Sequence, residues 1–285
     1  MNMEKPRQFP NASGPIGVFD SGFGGLTVLQ EIRNLLPKYD YMFLGDNARA
    51  PYGTRSFDVV YRYTLQGVTA LFERGCHLVI LACNTASAKA LRTIQQNDLP
   101  LLDPQRRVLG VIRPTAEIVG KLTKTGHIGL LATPGTVSSH SYELELQKLY
   151  PQVKVTALAC PMWVPLVENF EFDRPGADYF VESKVDELLS GDPQIDLIIL
   201  GCTHFPFLFP KIRKYVPSDI KIISQGAYVA QSLQNYLERH PEMDVKCSKG
   251  GTCRYYTTEE SINFDQTARL FLQENVRSIH MDMEA

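Results

Sequence analysis

The sequence predicts an α/β fold of two pseudo-symmetric domains with mainly parallel sheets, and it places a site in the cleft between them. Three observations predict this. Short β-branched runs alternate with longer helical patterns, the order that builds parallel sheets through crossover helices. Several of those runs are apolar throughout, as strands covered on both faces are. Two strand-plus-loop blocks also recur in the same order at nearly one spacing, which marks a duplicated unit.

Taken in order, residues 16–19, 41–44, 78–82, 108–112, 128–132, 153–158 and 195–200 read as strands. Residues 26–36, 56–74, 86–96, 137–149, 177–189 and 227–239 read as the amphipathic helices between them. Residues 246–257 carry Gly250-Gly251 between strand-like flanks and read as a hairpin. In the first repeated block, IGVFDSG from Ile16 resembles IGLLATP from Ile128. In the second, LVILACNT from Leu78 resembles LIILGCTH from Leu197. The division expected is a polar leader at 1–13, a first domain at 14–110 plus 217–285, and a second at 111–216. Ligands of such sheets sit beyond the carboxyl ends of the strands. Two like domains facing each other would then bring Cys83 and Cys202 to opposite walls of one cleft.

Composition narrows the function classes. The chain has 285 residues, 44% of them hydrophobic and 21% charged, enough for two ordinary cores. Lys and Arg number 29 against 31 Asp and Glu, for a net charge of -2, so no basic surplus asks for nucleic acid or an anionic membrane. The N-terminal stretch lacks a signal-peptide core, and the apolar runs are too short to span a bilayer. A cytoplasmic protein is expected. Its six cysteines form no CxxC pair and are read as free thiols, with Cys76 and Cys160 structural and Cys247 and Cys253 reduced. Trp163 is read as a core or cleft-wall residue. No second histidine stands at ligand spacing from His204, so no metal is expected.

The chemistry concentrates on two cysteines. Each follows an apolar strand and precedes small hydroxyl and amide residues, Asn84-Thr85 after Cys83 and Thr203-His204 after Cys202. A lone cysteine after an apolar strand is most simply a small buried residue. Two at equivalent positions of a repeat suit a different use. One thiolate can remove a proton from a carbon centre while the opposite thiol delivers one to the other face, which inverts configuration. A hydrolase or transferase needs only one nucleophile, and a redox dithiol needs its sulfurs within bonding range. The turn Asp20-Ser21-Gly22-Phe23-Gly24-Gly25 lacks the dinucleotide glycine order and the Walker lysine. It reads either as a loop whose amides and Ser21 hydroxyl reach an anion or as a strand-to-helix turn capped by Asp20. His204, beside Cys202, can tune protonation near neutral pH.

Seven motifs in register resemble the glutamate racemases of the cofactor-independent aspartate/glutamate racemase superfamily: FDSGFGG (19–25), PYG (51–53), ACNTAS (82–87), GVIRP (110–114), TPGT (133–136), CPMWVPLVE (160–168) and GCTHFP (201–206). The resemblance implies that Cys83 deprotonates D-glutamate and Cys202 L-glutamate, with no cofactor. It implies that Asp20 assists the Cys83 side and that His204 with Glu168 assists the Cys202 side. Ser21, Asn84, Thr85 and Thr203 match residues that hold the α-amino and α-carboxylate groups. Pro51, Tyr52 and Gly53 match the loop that receives the side-chain carboxylate, with Thr133 and Thr136 contributing. D-glutamate made this way implies a role in peptidoglycan synthesis. The sequence departs from the family pattern at Arg113 and at Ser224-Gln225-Gly226-Ala227, and the role of that loop is left open. Relatives of this type form dimers in different arrangements, so a homodimer is left open too. The alternatives are an aspartate racemase of the same superfamily and a non-catalytic amino-acid-binding relative.

Overall fold

The computed structural model of the chain describes residues 9–283. Its strands are β1 (Ile16–Asp20), β2 (Tyr41–Gly45), β3 (Leu78–Leu81), β4 (Arg107–Gly110), β5 (His127–Ala132), β6 (Lys154–Ala159), β7 (Leu197–Gly201), β8 (Lys221–Ile223), β9 (Cys253–Thr257) and β10 (Ser278–His280). The helices around the first sheet are α1 (Gly25–Leu35), α2 (Phe57–Glu73), α3 (Asn84–Lys89), α4 (Leu91–Thr93) and α5 (Leu99–Leu102), with a π-helical turn at Ile94–Asp98 before α5. The helices α6 (Ile112–Leu122), α7 (Pro134–Ser138), α8 (Ser141–Leu149), α9 (Trp163–Glu168), α10 (Pro175–Gly191) and α11 (Phe209–Tyr215) surround the second. The chain closes with α12 (Gly226–Arg239), α13 (Pro241–Asp244) and α14 (Ser261–Leu272).

All pairings between these strands are parallel. The first sheet runs β10-β9-β2-β1-β3-β4 and the second β6-β5-β7-β8. Set side by side, β2-β1-β3-β4 and β6-β5-β7-β8 have the same order, which is the duplication seen in the sequence. The repeated blocks form an adjacent pair of strands in each sheet, β1 with β3 and β5 with β7, with Phe19 opposite Leu81 and Leu131 opposite Leu200. Strands β1, β2, β3 and β7 are buried at every residue, as parallel strands under two helical layers must be. In both sheets the connections diverge between this pair, so the loops after β1 and β3, and after β5 and β7, stand at topological switch points.

Local signals explain several element starts. Ser56 caps α2, accepting the Val59 N–H, and Thr133 caps α7, accepting from Thr136 ahead of Pro134. Four expectations need correction. The helix expected at 137–149 is two helices, because His140 adopts a left-handed backbone (φ 53) between α7 and α8. The strand expected at 108–112 stops at Gly110, and Ile112 opens α6, which buries Ile112, Ala116 and Val119 and turns Arg113 outward to Glu117. The domain boundary expected at 217 comes later, since β8 still pairs with β7 and only α12 returns to pack on α1. Residues 246–257 do not form a hairpin. Asp40 accepts from Ser248 Oγ at 2.7 Å, from Thr252 Oγ1 at 2.6 Å and from the Thr252 N–H at 3.0 Å. The turn is thus held on Asp40, and β9 pairs with β2 and β10 instead.

All six cysteines are free. Trp163 is fully buried, its ring edge-on to Phe205 at 4.7 Å beneath the Cys202 turn. Of the leader expected at 1–13, residues 1–8 lie outside the described residues. The remainder is tied down: Phe9 packs on Phe72, and buried Arg106 donates to the carbonyls of Pro10 and Cys76 and pairs with Asp103 at 3.1 Å. No helix among the described residues is long and apolar enough to cross a membrane.

Candidate active site

The loops at the carboxyl ends of the central strands converge on one cavity. Ser21 comes from the turn after β1, Cys83 to Thr85 from the start of α3, Thr133 from the cap of α7, and Cys202 to His204 from the turn after β7. Pro51, Tyr52 and Gly53 close one side from the β2–α2 connection, and Val164 and Glu168 on α9 close another. The cavity encloses about 20 Å³, roughly the room of one water.

The two thiols keep different company. Cys83 caps α3: its Sγ accepts the Ala86 N–H at 3.4 Å, and its thiol donates to Ser21 Oγ at 3.4 Å. Burial and the nearby Asp20 carboxylate push the Cys83 thiol up to about 12, against those two hydrogen bonds. Asp20 itself is wholly buried behind Ser21, and one carboxylate oxygen accepts the Gly22 N–H at 3.1 Å. Burial pushes its carboxyl up to about 6, while His204 and backbone N–H groups pull the other way. Cys202 Sγ lies 3.9 Å from His204 Nδ1, and His204 Nε2 lies 3.2 Å from Glu168 Oε1. Burial alone would lower the His204 pKa, but its contacts with Cys202 and Glu168 outweigh that and raise it to about 10.

The hydroxyl and amide residues form two linked groups. Thr85 Oγ1 is 2.9 Å from Thr133 Oγ1, and Thr136 Oγ1 stands 3.1 Å from Thr133 Oγ1. The Gly135 N–H donates to the Gly53 carbonyl at 2.7 Å, which joins the two domains at this end. Asn84 donates to Gln225 Oε1 at 2.6 Å and accepts from Tyr142 at 2.8 Å, while Gln225 Nε2 also reaches Thr115 at 3.1 Å. Tyr52 donates to Asp46, which also holds Arg49 and Thr258. Across the cleft floor, Thr27 donates to the Thr203 carbonyl at 3.2 Å. Gly24 sits so close beneath that a Cβ there would stand 2.3 Å from Thr203 Oγ1 and 2.5 Å from His204 Nδ1.

Of the site residues expected from the sequence, Cys83, Cys202, His204, Glu168, Ser21, Pro51, Tyr52, Gly53, Asn84, Thr85, Thr133 and Thr203 line the cavity together. Asp20 and Thr136 stand behind the wall, each hydrogen-bonded to a neighbouring turn or threonine. Sequence reasoning missed Val164, which lines the cavity, and Tyr142, which bonds Asn84 and Gln225 behind it. It noted Gln225 only as a departure, and its partners come from α3, α6 and α8, which no local pattern ties together.

A sequence model of the Asp/Glu/hydantoin racemase family matches residues 16–233. The glutamate racemase of Ruegeria sp. (strain TM1040) is 40% identical over 271 residues, covering 92% of this chain and 97% of the relative. Among solved structures, a glutamate racemase isoform from Bacillus anthracis superposes with a TM-score of 0.82 at 34% identity, over 94% of this chain and 97% of its own. The glutamate racemase from Francisella tularensis, solved in complex with D-glutamate, gives a TM-score of 0.81 at 30% identity, over 96% and 98%.

Proposed function

The chain belongs to the Asp/Glu/hydantoin racemase family, and from that premise we propose that it interconverts L- and D-glutamate with Cys83 and Cys202 as opposed bases. One observation carries the reading. Each cysteine stands at the carboxyl end of the equivalent strand of its sheet, and both line the same cavity.

In the L-to-D direction, Cys202 as thiolate takes the α-hydrogen as a proton, and the C–H electron pair stays on the α-carbon. The Cys83 thiol then delivers its proton to the opposite face and is left as thiolate. The reverse direction exchanges the roles. A Cys83 thiol raised to about 12 is a proton donor at rest, and a protonated His204 beside Cys202 is a proton source for the other half-reaction. Asp20, raised to about 6, can exchange a proton with Cys83 between turnovers. The α-proton is weakly acidic, so the carbanion needs fixed donors in a closed, water-poor cavity. Asn84, Thr85 and Thr203 supply hydroxyl and amide groups on the wall, and Asn84 is aimed by Gln225 and Tyr142. Pro51, Tyr52 and Gly53 receive the side-chain carboxylate. D-glutamate made in the cytoplasm would supply peptidoglycan synthesis.

The test is circular dichroism of L-glutamate incubated with purified protein in deuterated buffer, with the recovered amino acid weighed by mass spectrometry. Loss of optical activity with one deuterium at the α-carbon is the expected result. The same behaviour with aspartate alone would move the substrate and keep the two-thiol chemistry. No exchange with either would overturn the reading.

A further inference from the structure

Lys89, the last residue of α3, is a buried cation that the reaction above does not use. Its side chain is almost fully covered, and its ammonium donates to the Arg55 carbonyl at 2.8 Å. No carboxylate pairs with it among the described residues, and burial alone accounts for the lowering of its pKa. A buried charge without a counterion is unfavourable, so its retention calls for an anion nearby.

The geometry shows where that anion would sit. A Cβ on Gly135 would stand 3.1 Å from Lys89 Nζ, 2.9 Å from the Gly53 carbonyl oxygen and 3.0 Å from Thr85 Cγ2. These distances together put the ammonium no more than about 6 Å from both Gly53 and Thr85. Gly53, Thr85 and Thr133 form one end of the cavity, and residues 51–55 form the strap that Lys89 holds from behind. The charge balance of the cavity points the same way. No lysine or arginine lines it, and its one wall carboxylate, Glu168, faces His204. An amino acid with two carboxylates brings a net negative charge that the wall does not answer.

We propose that Lys89 is a specificity-determining residue, whose ammonium behind the 51–55 strap selects a ligand carrying a second, distal carboxylate at the Gly53–Thr85–Thr133 end. The proposal rests on the reading that the cavity takes glutamate. Charge rather than contact does the selecting, because the ammonium acts through the strap.

The experiment measures calorimetric affinities of the full chain for L-glutamate and for L-glutamine, its isosteric partner with a neutral distal group. The wild type should prefer glutamate at least about tenfold. Lys89→Gln keeps a donor for Arg55 and removes the charge. It should weaken glutamate about tenfold, leave glutamine within about threefold, and raise KM with little change in kcat. Lys89→Arg should stay near wild type, and Lys89→Met replaces the Gln variant if that one fails to fold. An unchanged preference in a folded, uncharged variant would overturn the proposal, as would a wild type with no preference. Equal weakening of both ligands would also overturn it, showing that Lys89 only ties the strap. If the wild type prefers glutamate and loses that preference with the charge, yet never racemises it, the racemase reading fails and the Lys89 assignment stands.

Discussion

Asp20→Asn should make the protein more stable relative to wild type as pH rises, while disabling it. Asp20 is wholly buried, and burial lifts its pKa from 3.8 to about 6. The folded state therefore holds the proton more tightly than the unfolded state. The stability linked to this group is fully present below about 4 and is lost as pH rises through 6. A shift of a little over two units corresponds to about 3 kcal/mol, with no discount for solvent at a fully buried site. Between pH 5 and pH 8 about half of this is expressed, roughly 1.5 kcal/mol. Asparagine does not titrate, so any constant cost of the amide cancels when two pH values are compared. Urea unfolding of both proteins at pH 5 and pH 8 reads the quantity directly. The unfolding free energy of the variant minus that of wild type should be about 1.5 kcal/mol more favourable at pH 8 than at pH 5. Racemisation should fall by at least about a hundredfold. A gap that is independent of pH, or that narrows toward pH 8, would refute the reasoning, because Asp20 would then not be a carboxylate ionised at the expense of the fold.

The remaining predictions probe the other walls. Cys83→Ser and Cys202→Ser, made separately, should each cut racemisation by at least about a hundredfold while calorimetric binding of L-glutamate stays within a few-fold; normal turnover in either variant would remove the two-base scheme. Glu168→Gln removes the partner 3.2 Å from His204, so the His204 pKa should drop from about 10, and the alkaline limb of kcat/KM should move to lower pH, as a pH–rate profile will show. Gly24→Ala forces a methyl against Thr203 and His204, and should cost about 1–3 kcal/mol in urea unfolding together with a loss of rate. Arg106→Ala leaves Asp103 and two carbonyls without their buried partner, and should cost about 3 kcal/mol or more by the same measurement.

What the sequence made legible was whatever a local pattern carries. The fully apolar runs located the inner strands, and the repeat of strand plus polar loop paired Cys83 with Cys202. Elements whose formation depends on distant partners were not legible. Strands β8 and β10 are three residues each, too short for a period, and exist because a sheet edge stood ready for them. The turn at Gly250-Gly251 has the composition of a hairpin, yet the Asp40 carboxylate, some 200 residues earlier in the chain, decides its course. The apolar run at 108–112 continues past Gly110 in hydropathy, but α6 takes over because Ile112, Ala116 and Val119 share a buried helical face. Among the site residues, Gln225 and Lys89 escaped for the same reason. Each acts through groups on other elements, and a glutamine after a short strand or a lysine at a helix end carries no local signal.

The duplication explains both the symmetry of the site and its limit. Two sheets of the same strand order deliver a thiol from the same position of each, which suits the proposed reaction, a proton transfer at either face of one carbon. The scaffold does not make the thiols alike. Cys83 is buried beside the Asp20 carboxylate, and burial and that charge keep it a thiol against the hydrogen bond to Ser21. Cys202 faces a histidine whose pKa is raised by its contacts with Cys202 itself and with Glu168. A reversible proton transfer between opposed bases needs one base loaded and one empty at every stage. Identical surroundings would favour two thiols or two thiolates, and neither arrangement turns over. On the proposed two-base reading, the repeated strands bring both sulfurs to one cavity, and the differing neighbours Asp20, Ser21, Glu168 and His204 let only one sulfur carry the proton at a time.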